Sequence, residues 1–279
     1  MEILETIKEI FGRYFATQKA GDIKNLPDIY KELIVSWNSL AVSKGSSNYF
    51  DLQKNFFHIP ETHYQKYLSN RDAFASKYSP QLDSATNSPH FLSKLPTVDL
   101  EYPDSVFNFV AQKYPELNAI NDKISIADSD KEAYYRYSKE EDHYYIFVPQ
   151  TNSNQKISML IHELSHVINQ EKYHHQTPDS YTDELEAHQI EMDLAKDISE
   201  DFFKAIVGEY LMCLVRAEFQ ISKFENPELD PTPLYKSCFE KYVGKQNPEN
   251  IFDFLSDKKI THLPLTDLPV AVALVNLLT

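Results

Sequence analysis

A chain of 279 residues with 42% hydrophobic and 13% aromatic side chains can bury one sizeable core, or two lobes sharing a cleft, which excludes a disordered protein. Its formal net charge of −15 repels a phosphate backbone instead of releasing counterions from it, so nucleic acid is excluded as a partner. With 5 glycines, few positions tolerate positive φ, which favours long helices over a barrel or sandwich, and the 2 cysteines (Cys213, Cys238) make no disulfide framework.

Helices are expected first. Ile3, Ile7, Ile10, Phe11 and Phe15 recur at three or four, and a second stripe runs through Ile29, Leu33, Trp37 and Leu40. Charges interrupt Met1 to Glu9 every few residues, so no signal-peptide core is present there, and the apolar run Leu268 to Leu278 is too short to span a bilayer. The expectation is a chain without a membrane span, cytoplasmic or exported by a system that does not use an N-terminal signal peptide. A third helix is expected from about Glu61 to Ser79. The Ser-, Pro- and Asn-rich stretch Gln81 to Pro103 reads as a long loop or lobe boundary, and a short helix follows from Ser105 to Tyr114.

The pattern then changes period. Lys123 to Ala127 alternates at two, and Ala133 to Ser138 and His143 to Val148 are β-branched and aromatic around the charged turn Lys139 to Asp142. These segments predict a small antiparallel sheet in a mainly α protein. After Pro149, Ser153 or Asn154 is a plausible N-cap for a helix from about Gln155 to Glu171. A second helix is expected from about Thr182 to the region of Gly208, with continuation to Phe224 open, and further helices from Pro231 onward.

The chemistry lies in Leu160-Ile161-His162-Glu163-Leu164-Ser165-His166-Val167-Ile168. Histidines four apart on a helix share a face, where their ring nitrogens can converge on one cation. Glu163, one step round from His162, can reach a metal-activated water without ligating, the place of a general base. The flanks are apolar, so the helix is buried, and buried imidazoles and carboxylates are costly unless something pairs with them. Two histidines hold zinc poorly alone, and the segment Thr182 to His188 offers Glu184 and Glu186 as a third donor. At 100° per residue, Glu184 shares its face with Ala187, His188, Glu191, Leu194 and Ile198, the apolar stripe. Glu186 falls with Gln189, Asp193 and Asp197 on the solvated side. Glu184 is therefore the expected ligand and Glu186 the reserve. His188 and Glu191 are candidates for orienting a ligand imidazole through its other nitrogen. Tyr173 and Tyr181 are near enough in sequence to offer a hydroxyl to an oxyanion.

His162-Glu163-x-x-His166 followed by a glutamate on a second helix resembles the gluzincin branch of the zincin metallopeptidases. Metzincins place a glycine and a third histidine where this chain has Asn169 and Lys172. The resemblance implies a zincin-like catalytic lobe with a motif helix and a glutamate helix below a small sheet. It also implies one Zn²⁺, a peptide or protein substrate, and an edge strand that pairs with it, a place matched by His143 to Val148. Thermolysin-like enzymes would align with Glu186. In several gluzincin families the residue four after the ligand is acidic, where this chain has His188. Leu214 to Gln220 with Pro231 to Tyr242 is similar to the C-terminal helices of oligoendopeptidase F-type enzymes. The spacing from His166 to Glu184 is shorter than that family uses, so no subfamily is assigned. The expected organisation is an N-terminal helical region, residues 1–100, and a zincin-like catalytic region, residues 101–279, either separate or joined in one compact unit. The expected function is zinc-dependent peptide-bond hydrolysis, the alternative a zincin-fold binding or regulatory protein with little turnover.

Overall fold

The structure is a computed structural model that describes residues 2–79, 92, 95–130, 132–176, 179–244, 258–261 and 264–279. In chain order its helices are α1 (Glu2–Lys19), α2 (Leu26–Ser43), α3 (Tyr49–Phe56), α4 (Glu61–Tyr78), α5 (Asp104–Lys113) and α6 (Glu116–Ala119). Three strands follow, β1 (Ile124–Ser129), β2 (Tyr134–Ser138) and β3 (His143–Pro149). Then come α7 (Ser153–Lys172), α8 (Ser180–Ile198), α9 (Glu200–Glu225), α10 (Pro231–Tyr242), α11 (Lys258–Thr261) and α12 (Leu268–Leu278). The fold is mainly helical, and among the described residues no helix is long and apolar enough to cross a membrane. Most of the expected loop Gln81 to Pro103 lies outside the described residues.

The chain groups into two units, Met1–Pro80 with Tyr210–Thr279, and Gln81–Glu209. A division at residue 100 is therefore not the one the packing makes. The C-terminal helices join the N-terminal ones because α10 and α12 both pack on α4. Within that unit, buried Glu218 of α9 accepts from the Tyr67 hydroxyl at 2.5 Å, Arg71 Nη1 at 2.5 Å and the Tyr242 hydroxyl at 3.2 Å. Three partners for one buried carboxylate tie α4, α9 and α10 together, since an uncompensated buried charge costs several kcal/mol, on the order of 3–5.

The second unit carries the sheet, in the order β1-β3-β2. β2 and β3 form the expected hairpin, with Ser138 opposite His143, but β1 runs parallel to β3, with Ile124 opposite Tyr144. The sheet is mixed, not antiparallel throughout. Period-two alternation reports which face a residue takes and is silent on strand direction. Here β3 inserts between β1 and β2, which also corrects the expected substrate edge: His143 to Val148 is paired on both sides, and the edges are β1 and β2.

The inward residues of β3, Tyr144, Ile146 and Val148, are buried, and β3 packs on α7. Asn152 caps α7, accepting from the Gln155 N–H at 3.0 Å, one or two residues before the expected caps. Asp179 caps α8 in place of Thr182, accepting from the Thr182 N–H at 3.0 Å. The long helix expected after Thr182 is broken at Ser199, whose backbone is extended (φ −171°, ψ 157°) and whose Oγ accepts from the Phe202 N–H at 3.0 Å. A serine that caps the next helix ends the previous one.

Asn154, buried in the first turn of α7, anchors the segment before α5. Its Nδ2 faces the carbonyls of Leu92, Leu95 and Pro96 at 3.1–3.2 Å, and its Oδ1 accepts from the Val98 N–H at 3.0 Å. Asn154→Ala strands these buried groups. It should lower unfolding free energy by about 1–3 kcal/mol in denaturant titrations.

Candidate metal centre

Helix α7 packs against β3, α5, α6 and α8, and Leu160, Ile161, Leu164 and Val167 are fully buried. Burial on so many sides fixes the rotation of the helix. The four-residue repeat then turns His162 and His166 together, with ring centroids 4.7 Å apart and their Nε2 atoms 3.2 Å apart. Glu184, in the second turn of α8, closes the group: its Oε2 is 3.6 Å from His162 Nε2 and its Oε1 3.9 Å from His166 Nε2. One donor atom from each of the three lies within 4.8 Å of the others. Glu186 is directed elsewhere, to Lys172 Nζ at 2.8 Å and to the Tyr173 hydroxyl. Tyr173, a candidate for the oxyanion, thus serves Glu186.

Behind the group, the other nitrogen of each imidazole faces a carboxylate. His162 Nδ1 is 3.3 Å from Glu191 Oε2, and His166 Nδ1 is 3.0 Å from Asp183 Oδ2. Asp183 also accepts from Asn169 Nδ2 at 3.1 Å and faces the Tyr135 hydroxyl at 3.4 Å, and Gln170 Nε2 donates to that hydroxyl at 3.2 Å. The Tyr135 ring, from β2, stacks on His166 with centroids 5.0 Å apart. Glu191 accepts the Ser158 hydroxyl on Oε1 at 3.1 Å, and its Oε2 also faces His188 Nδ1 at 3.1 Å. Glu191 therefore sits where the helical phase put it, against a motif imidazole. His188 meets Glu191 rather than His162 or His166 through its Nδ1.

Two partners went unassigned in the sequence. Asp183 adjoins Glu184, yet its side chain reaches the far nitrogen of His166, and a carboxylate pair at consecutive helix positions was the available signal. Tyr135 comes from a strand, and nothing in sequence spacing connects it to α7.

The electrostatics follow from burial. Burial raises the Glu163 carboxyl above its ordinary value, the change a general base near neutrality needs. Burial also lowers His188, keeping it neutral. For Glu191 burial works toward the neutral form, but the hydrogen bonds from His162 and His188 outweigh it and hold the carboxyl well below the usual range. At Asp183 burial is likewise overcome, by His166, Asn169 and Tyr135. His162 balances the surplus of anions: burial opposes its charge, yet Glu191, Glu184 and Glu163 raise it to about 10. A protonated His162 is one way to supply positive charge here and a divalent cation is another. Two imidazole nitrogens and a carboxylate oxygen, with each imidazole fixed from behind, are the donor chemistry that suits zinc.

No protein-family model matches the chain, and no curated protein matches its sequence significantly. Solved structures do. One assigned as oligoendopeptidase F superposes with a TM-score of 0.65 at 16% identity, covering 93% of this chain and 55% of its own. PZ peptidase A with inhibitor 2 gives 0.64 at 14%, covering 93% and 56%. A second chain assigned as oligoendopeptidase F, from Bacillus anthracis str. Ames, gives 0.57 at 18%, covering 91% and 53%. The chain has the fold of these proteins and spans just over half their length.

Proposed function

We propose that the chain is a zinc-dependent peptidase of the gluzincin type, with one Zn²⁺ held by His162, His166 and Glu184 and a peptide or protein as substrate. The observation that carries this reading is the convergence of the two Nε2 atoms and the Glu184 carboxylate beside buried Glu163. The likeness to folds that belong to peptidases supports it. Zinc, when bound, supplies Lewis acidity to a carbonyl and lowers the pKa of water. Glu163 takes the proton of the attacking water and returns a proton to the leaving amine. Asp183 and Glu191 keep the motif imidazoles in the tautomer that presents Nε2. β2, an edge of the sheet, brings Tyr135 beside His166 and offers backbone groups to an extended peptide.

The test is zinc content by mass spectrometry after purification without chelator, followed by turnover of a peptide library. Stoichiometric zinc and chelator-sensitive cleavage are expected. Zinc without cleavage of any peptide would favour the binding protein over the enzyme. Zinc absent, with no uptake on reconstitution, would end the metal reading.

The titration of His162 gives a second check. Its folded value of about 10 lies above the ordinary 6.5, so at pH 8 the metal-free site holds a proton that a ligating imidazole must give up. Zinc binding at pH 8 should therefore release a proton, seen by calorimetry in buffers of differing ionisation enthalpy. The apparent affinity should rise with pH up to about 10.

A further inference from the structure

We propose that Tyr134 and Arg136 of β2 select the substrate, so that the chain favours peptides with an acidic side chain two residues from an aromatic one. The inference rests on the peptidase reading above, with a peptide paired to the β2 edge, and names the class of peptide. Successive side chains of a strand point to opposite faces of the sheet. On β2 those faces are marked by what they touch. Tyr135 stacks on His166 with centroids 5.0 Å apart, and Tyr137 stacks on His175 with centroids 4.3 Å apart, so both point toward α7 and the turn after it. Tyr134 and Arg136 therefore point to the other side, where both are exposed, Tyr134 by 49%.

β2 is an edge of the sheet, so its free side can take one more strand. Side chains directly opposite one another on neighbouring strands touch, with Cβ atoms about 4.5–5.5 Å apart. A peptide laid along β2 has one side chain opposite Tyr134 and another, two residues away, opposite Arg136. The residue between them lies opposite Tyr135, on the face of His166. The place opposite Tyr134 is already aromatic: its ring stacks on Phe147, its partner across β3, with centroids 4.7 Å apart and planes at 21°. An aromatic peptide side chain extends that stack. The place opposite Arg136 is cationic. Among the described residues no carboxylate forms an ion pair with its guanidinium, and Glu141, which feels its charge, accepts from the Tyr145 hydroxyl at 2.7 Å. A guanidinium fits a carboxylate because its donors match both oxygens. The net charge of −15 repels acidic peptides at a distance, but charges are screened beyond about 8 Å at physiological salt, and a contact with Arg136 lies inside that range. An exposed arginine also guards a sheet edge against stray pairing, a role that needs only a charge, of either sign.

The experiment is a kcat/KM profile of zinc-loaded wild type, Arg136→Glu, Arg136→Lys and Tyr134→Ala on a peptide library varied in acidic, basic, neutral and aromatic residues at every position. Wild type should favour an acidic and an aromatic residue two apart, their order following the direction in which the peptide pairs. Arg136→Glu should lower kcat/KM for acidic peptides by about fivefold and raise it for their basic counterparts by a similar factor, while Arg136→Lys keeps the wild-type order. Tyr134→Ala should lose the aromatic preference and keep the acidic one. A wild-type profile without that pair would overturn the proposal and leave the peptidase reading standing. Acidic peptides still ranked above basic ones by Arg136→Glu would do the same. No cleavage of any peptide by zinc-loaded wild type would overturn both. If a variant does not fold, the wild-type profile alone decides.

Discussion

Glu163→Gln should lower kcat by about 10²–10⁴-fold, the range that a positioned general base contributes. Zinc stoichiometry and KM should stay within about twofold, because glutamine keeps the shape of the side chain and no donor is removed. The prediction separates two roles a buried glutamate on α7 can have. Glu163 is 5% exposed, and its carboxyl is raised by burial despite two neighbouring imidazoles that favour its ionised form. A purely structural carboxylate in that place would be relieved by amidation, and the variant would be more stable with its rate unchanged. Steady-state kinetics on the best library peptide, run beside zinc analysis and a denaturant melt of both proteins, distinguish the cases. Unchanged kcat in a zinc-loaded variant would remove Glu163 from the chemistry.

The helices were legible because burial writes itself into sequence at a period of 3.6. The stripe from Ile3 to Phe15 is α1, and the apolar flanks of His162 and His166 are the buried faces of α7. Ends were less legible. Asn152 and Asp179 cap α7 and α8 from the residues just outside the expected starts, since several neighbouring side chains there have capping oxygens. The break at Ser199 was missed because the apolar spacing resumes in phase on either side of it. Strand direction and grouping into units were not readable at all. They depend on which distant segments meet, as β3 does between β1 and β2 and α12 does on α4, and no local pattern encodes that.

The site divides in the same way. Residues that share a helix face announce one another, so His162, His166, Glu184 and Glu191 could be placed by phase alone. Partners from elsewhere could not. Tyr135 reaches His166 from a strand, and no spacing along α7 or α8 announces it. His188 shows the limit from the other side: phase put it on the correct face, but only distances show that its Nδ1 and Nε2 have different neighbours.

Glu184 and Glu186 are two residues apart, and their exchange for glutamine should have opposite consequences. Loss of a residue that merely orients a ligand typically costs 10–100-fold in metal affinity, so loss of a donor should cost more than about 100-fold. Glu184→Gln should therefore fail to retain stoichiometric zinc through gel filtration, and catalysis should fall with it. Its side chain is 30% exposed, so the fold should tolerate the change. Glu186→Gln removes an ion pair with Lys172, whose side chain is 56% exposed, and a hydrogen bond from Tyr173. An exposed pair of that kind contributes about 0–1 kcal/mol to stability and nothing to the donor set. Zinc affinity in that variant should match wild type within about twofold, since the structure directs its carboxylate away from both imidazoles. Competition with a chromophoric chelator reads both variants on one scale. If Glu186→Gln lost the metal and Glu184→Gln kept it, α8 would have to be rotated by about 200° from the face it presents to α7, at 100° per residue. That rotation would carry Ala187, Leu194 and Ala195 out of the core, where they are fully buried.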